Sequence, residues 1–169
     1  MSVEARDLRR TLGRFATGVV AVTALWEDHP HGMTVNSFTS VSLDPPLVLF
    51  CSYPNGQTCK AIQASGAYGI SILTLEQMEL CKRFAGMTEV QEPDRFVGLE
   101  YTRSPILGVP WMADCLAWLE CRLVNTWSAG DHVVLLGQVE QIRVGAEADP
   151  LLFFNGQWPT IQRPADGVG

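Results

Sequence analysis

Between residues 34 and 42 lie five side-chain hydroxyls (Thr34, Ser37, Thr39, Ser40 and Ser42) and the amide of Asn36, interleaved with Val35, Phe38 and Val41. No acid, base or metal ligand accompanies them. Such a set suits a ligand that needs many hydrogen bonds and little charge chemistry, such as the polar edge of a heteroaromatic ring or a phosphate. A Ser/Thr-rich edge strand followed by a turn is the plainer alternative. A second polar stretch ends at Thr58, which stands where an N-cap would be for a short helix over 59–64. The unpaired N–H groups of a helix start favour an anion, although plain capping is the commoner use of such a residue. Lys82 and Arg83 close another helix, where they complement its dipole or serve a phosphate. His132 follows the turn Ser128-Ala129-Gly130-Asp131, whereas His29 and His31 flank Pro30 in a turn with no third matching ligand nearby and read as solvated residues.

Other chemistry lacks its signatures. The chain has no GxSxG, no GxGxxG after a strand, no Walker loop and no HExxH. Five cysteines, Cys51, Cys59, Cys81, Cys115 and Cys121, form an odd set without CxxC spacing. They fit neither a disulfide framework nor a zinc site and read as small buried hydrophobes in a reducing cytoplasm. A Cys–His132 nucleophile pair lacks the electropositive setting it would need. What is left is a protein that binds a cofactor able to do its own chemistry.

The elements that must position these groups are mostly strands. Val3, Leu8, Leu12 and Phe15 recur at helical spacing among charges, which predicts an amphipathic helix with one face on the body. VVAVTAL over 19–25 is β-branched and reads as a central strand, and residues 27–32 as the turn of a hairpin. Asp44-Pro45-Pro46 interrupts pairing, and LVLF over 47–50 reads as a fully buried strand. YGISIL over 68–73 is another strand, and Thr74 with Gln77 predicts a capping box opening a helix through Phe84. Residues 85–110 read as one long loop, a lid or a partner surface. Strands over 117–124 and 133–142 follow, with Trp118, Glu120 and Arg122 alternating against Leu119, Cys121 and Leu123. An aromatic hairpin bends at Asn155-Gly156. Many short strands with few helices point to an antiparallel barrel.

Composition agrees with a folded, cofactor-binding domain. The 169 residues predict one domain, and 47% hydrophobic with 18% charged residues is globular composition. The net charge of −6 without a basic run argues against nucleic acid or an anionic membrane as partner. The charged start carries no secretory signal pattern, and no apolar run is long enough to span a bilayer.

Taken in order, the blocks RFATGVVAVTA, GMTVNSFTSVSLDPPLVLFC, KRFA, DRFVG, LAWLEC, GDHVVLLGQV and PLLFFNGQW resemble the short-chain flavin reductase family, the reductase components of two-component flavin monooxygenases. The resemblance covers about residues 8–158 and implies a single flavin reductase-like domain over 1–169 with a flexible tail at 159–169. It implies a mainly β fold, an FMN-binding split β-barrel of Greek-key type with a few flanking helices, assembled as a homodimer. The implied activity is that of an NAD(P)H:flavin oxidoreductase reducing FMN or FAD for a separate monooxygenase of aromatic catabolism or natural-product biosynthesis. By the same resemblance Thr34, Val35, Asn36 and Ser37 line the flavin ring edge, and Cys51, Ser52 and Tyr53 border the ribityl chain. Thr58, the N–H of Cys59 and Arg83 hold the phosphate, while Gly130, Asp131 and His132 face the nicotinamide, His132 as the candidate catalytic residue.

The family commonly has tyrosines where this chain has Phe153 and Trp158, so stacking replaces a hydroxyl contact there. The absence of an arginine cluster near Gly130 favours NADH over NADPH. A non-enzymatic electron shuttle, and a flavoenzyme that keeps its flavin and reduces another acceptor, are the alternative functions.

Overall fold

The computed structural model describes residues 3–91 and 94–162, so most of the expected flexible tail lies outside the described residues. Helix α1 (Ala5–Leu12) leads into β1 (Thr17–Gly18), β2 (Val20–Trp26), β3 (His29–Val35), β4 (Thr39–Leu43) and β5 (Pro46–Ser52). Helix α2 (Gln57–Ser65), β6 (Ala67–Ile72) and α3 (Met78–Phe84) follow. The chain then forms β7 (Tyr101–Arg103), β8 (Pro110–Met112), the two long strands β9 (Ala117–Ala129) and β10 (His132–Val144), and β11 (Leu152–Phe153).

Seven strands pair antiparallel in the order β3-β2-β6-β9-β10-β5-β4. The two edge strands, β3 and β4, are consecutive in the chain and joined only by Asn36, Ser37 and Phe38. In a flat sheet six inter-strand gaps of about 4.8 Å would hold those edges about 29 Å apart. Four Cα steps of about 3.8 Å reach only about 15 Å, so the sheet must curl until its edges nearly meet. Residues 36–38 bridge the seam of that curled sheet.

β2 is buried on both faces, as its β-branched run predicts. Val20, Val22 and Ala24 join Val48, Phe50, Tyr68, Ile70, Cys121 and Leu135 inside the curl, with Cys59, Ala61 and Ile62 of α2 closing one end. Val19 and Ala21 turn outward onto a second core formed with Leu73, Cys81, Phe84, Phe96, Met112, Cys115 and Leu151. The Thr74–Gln77 capping box forms as expected, ahead of α3.

Several expectations change. The hairpin turn is only Glu27-Asp28, both at positive φ, so His29 and His31 lie in β3; His31 packs its ring 6.4 Å from Trp26. β5 alternates, with Val48, Phe50 and Ser52 inward and Leu47, Leu49 and Cys51 half covered, because it lies next to the sheet edge rather than at its centre. Helix α1 buries no side chain, and Leu8, Leu12 and Phe15 stay exposed. Its C-terminal end is nonetheless tied down, since Asn155 N donates to Gly13 O at 2.8 Å.

The stretch after α3 is no open lid: Phe96 packs on Phe84 at 5.0 Å and on Tyr101 at 5.4 Å, and β7 pairs with β8. Glu120, which alternates with Leu119 and Cys121 along β9, is fully buried beneath this arm. Its carboxylate accepts bonds from Ser104 Oγ and from the N–H groups of Ile106 and Leu107. A buried carboxylate is tolerated because those donors replace water.

Candidate functional site

The seam opens into two adjoining hollows. The first, about 410 Å³, is bounded by Thr34, Val35, Asn36 and Ser37 on one side and by Cys51, Ser52, Tyr53 and Gly56 on the other, with Phe84, Ala85 and His132 completing the wall. The second, about 360 Å³ and more apolar, shares Thr34, Val35, Asn36 and Ala85 with the first and adds Cys81, Met87, Phe153 and Trp158. Residues 34–36 are therefore a ridge with a hollow on each side.

The hydroxyls of this ridge face the protein more than the hollows. Thr34 Oγ1 donates to Cys81 O at 2.8 Å, fastening β3 to α3. Ser37 Oγ accepts from Cys51 N at 3.0 Å and donates to Cys51 O at 3.2 Å, holding the bridge 36–38 against β5. Thr39 Oγ1 donates to Ser40 O. What the ridge offers a ligand is thus backbone N–H and C=O groups and the exposed amide of Asn36, not the row of hydroxyls that drew attention in the sequence.

At the α2 end of the first hollow, the N-cap is Gly56, and Thr58 sits one turn-position inside the helix with its side chain buried. No side chain caps α2. Its first N–H groups have no intrahelical acceptor, since the first such bond runs from Lys60 N to Gly56 O, and the helix dipole adds positive potential there. Thr58 and Cys59 can therefore contribute their backbone N–H groups to an anion, whereas the buried side chain of Thr58 is turned to the core. Arg83 donates Nη2 to Val97 O at 2.6 Å and does not line either hollow.

His132 opens β10 immediately after the tight turn Gly130-Asp131, Gly130 taking φ +64°. Its Nδ1–H donates to Asp131 Oδ1 at 2.8 Å, and its ring lies 4.3 Å from that of Tyr53. The hydrogen bond to His132 is the main reason the exposed Asp131 carboxyl is held below its ordinary value. With Nδ1 so engaged, Nε2 is the ring nitrogen left for the hollow. Phe153 and Trp158 meet edge-on at 5.1 Å in the second hollow.

Cys81 and Cys59 are not poised as nucleophiles. Burial pushes the Cys81 thiol up to about 11 and raises that of Cys59. Both are protonated at neutral pH.

Residues 12–162 match the family model described as "Flavin reductase like domain". The chain belongs to the flavin reductase-like family. It is 37% identical over 161 residues to the reductase subunit HsaB of a flavin-dependent monooxygenase from Rhodococcus jostii (strain RHA1), covering 95% of this chain and 80% of that protein. It is 42% identical over 158 residues to an NADH-dependent flavin reductase of Rhodococcus sp, covering 92% and 85% of the two chains. Among solved structures, flavin reductase PheA2 superposes with TM-score 0.86 at 37% identity, covering 95% of this chain and all of that one. Streptomyces globisporus SgcE6, solved with NAD and FAD fragments, superposes with TM-score 0.87 at 33% identity, covering 98% and 99%.

The donor set of this flavin reductase-like chain fits a flavin. The ridge offers backbone groups and the Asn36 amide, the hollow walls are largely apolar, and the uncapped start of α2 leaves N–H groups that can donate to an anion. Met33, Gly56, Phe84 and Ala85 also line this site without having been legible as site residues. A Cβ on Gly32 would sit 2.7 Å from the Phe84 ring, so that glycine lets α3 close against β3.

Proposed function

We propose that this chain is an NADH:flavin oxidoreductase that reduces FMN or FAD and releases reduced flavin to a separate monooxygenase. The observation that carries it is the pair of hollows that share Thr34, Val35, Asn36 and Ala85, so that two flat ligands seated in them would meet at those residues. A bound flavin supplies the two-electron acceptor for a hydride from the reduced nicotinamide. The protein's share is positioning. Ser37 and Thr34 hold the ridge rigid through Cys51 and Cys81, the N–H groups of Thr58 and Cys59 anchor the phosphate, and Ser52 and Tyr53 border the ribityl side. Phe153 and Trp158 offer ring faces to the nicotinamide nucleotide. His132, oriented by Asp131, holds or transfers a proton at Nε2 beside the first hollow.

A homodimer and a cytoplasmic setting belong to the same reading. Val124 and Trp127 on β9 leave large apolar surface exposed, which a second copy would cover. All five cysteines are free thiols. No helix among the described residues is long and apolar enough to cross a membrane.

The test is steady-state NADH oxidation in air by purified apoprotein with FMN, FAD or no flavin. Turnover that requires added flavin and saturates with it is expected. Flavin binding without oxidation of NADH or NADPH would sink the enzyme reading and leave an electron shuttle. Yellow protein that turns over without added flavin would instead indicate a flavin retained on the protein.

A further inference from the structure

A third hollow continues the groove away from the flavin. It shares Asn36, Phe153 and Gly156 with the earlier hollows and is walled on its far side by Arg9, Arg10, Leu12 and Phe15 of the N-terminal segment. In a chain of net charge −6, α1 and the two residues after it are an exception. Arg6, Arg9, Arg10 and Arg14 are four of only 12 basic residues and fall within nine positions.

The helix buries none of its side chains, so the packing of its own domain does not explain why it is held here. It is held all the same, by the bond from Asn155 N to Gly13 O and by the pairing of β1 with β11. Those anchors place α1 beside the aromatic turn that walls the second hollow. Arg9 also makes the smallest of the contributions that lower the exposed Asp131 carboxyl. Arg10 lies 3.6 Å from Asp7, an exposed contact too weak to commit it.

We propose that Arg9 and Arg10 form an anion subsite for the diphosphate of a dinucleotide that enters the groove from the ridge at Asn36. The inference rests on the reductase reading above. Guanidinium groups suit the geometry: they offer paired N–H donors to phosphate oxygens, and the solvent-facing hollow avoids a desolvation cost. Leu12 and Phe15 on the same wall give the nucleoside beyond the diphosphate an apolar side. Either NADH or the AMP half of FAD carries this chemistry, and binding data separate the two.

The experiment compares Arg9→Ala/Arg10→Ala with Arg6→Ala/Arg14→Ala, which removes the same charge from the N-terminal segment at residues that do not line the hollow. KM is measured for NADH and for reduced nicotinamide mononucleotide, which lacks the diphosphate, with FMN as acceptor. Kd for NAD⁺ is measured by calorimetry, and Kd for FMN and FAD by quenching of flavin fluorescence. If NADH is the occupant, the Arg9/Arg10 pair raises its KM and the Kd of NAD⁺ by about 5- to 50-fold, with little change for the mononucleotide or for either flavin. If FAD is the occupant, its Kd rises by a similar factor while that of FMN does not. Equal shifts in both variants, or none in the Arg9/Arg10 variant, overturn the subsite. Wild-type protein without NADH:flavin turnover would instead remove the reading on which it rests.

Discussion

His132 is held from two sides: Asp131 fixes one ring nitrogen and Tyr53 covers the ring. Because the Asp131 carboxyl is held low by that hydrogen bond, it stays ionised throughout the neutral range, and its hold on Nδ1 is lost only in acid. Replacing His132 by alanine removes the oriented Nε2 but leaves the ridge and the α2 start in place. The expected result is kcat for NADH oxidation lower by about 10- to 100-fold, with Kd for flavin within about twofold. Steady-state kinetics with flavin-quenching titrations check it, and an unchanged kcat would leave the histidine with a structural part only. At this scale the sequence was partly readable. The role of His132 came from the family resemblance of the GDH block, and the residue stands in the wall of the first hollow. The hydroxyls of Thr34 and Ser37 are engaged by backbone carbonyls 47 and 14 residues away, partners that the local sequence does not show.

Elements matter here through close approach. β10 passes Tyr68 at Gly137, where an added Cβ would lie 2.0 Å from the phenolic oxygen, beside a register shift in the β9–β10 ladder. Tyr68 is fully buried and stacks edge-on with Phe50 at 5.3 Å, so it has no room to retreat. Gly137→Ala should therefore destabilise the fold by about 1–3 kcal/mol through overpacking. Urea unfolding checks this, with Gly98→Ala as comparison: that exposed position has open space around it but positive φ, so it carries conformational strain of about 1 kcal/mol without a clash. Equal midpoints for the two variants would mean that the strand relaxes around Tyr68. The type of most elements was legible, because β2, β6 and the Thr74 capping box obey local rules. Burial of Glu120 and the exposure of α1 were not, because both depend on which distant segment arrives to cover them.

At the scale of the whole molecule, the curl that brings β3 and β4 together makes the site and leaves other surface apolar. The seam is filled by three residues, and the hollows follow it from the start of α2 to α1. Topology of this kind was invisible to periodicity, which identifies strands but not their order; only the resemblance implied it. On β9, Val124 and Trp127 face solvent with 53% and 43% of their surface exposed, beyond the part of the strand that the β7–β8 arm covers. A folded monomer gains nothing from a half-exposed tryptophan on a long strand, whereas an interface between two copies would remove it from water. Light scattering after size exclusion should accordingly give twice the 18.6 kDa of one chain at micromolar concentration. Trp127→Glu should shift the species toward one chain by placing a desolvated charge in that contact. A wild-type protein that elutes as a monomer would remove β9 as an interface, and a dimer indifferent to Trp127→Glu would place the contact elsewhere on the surface.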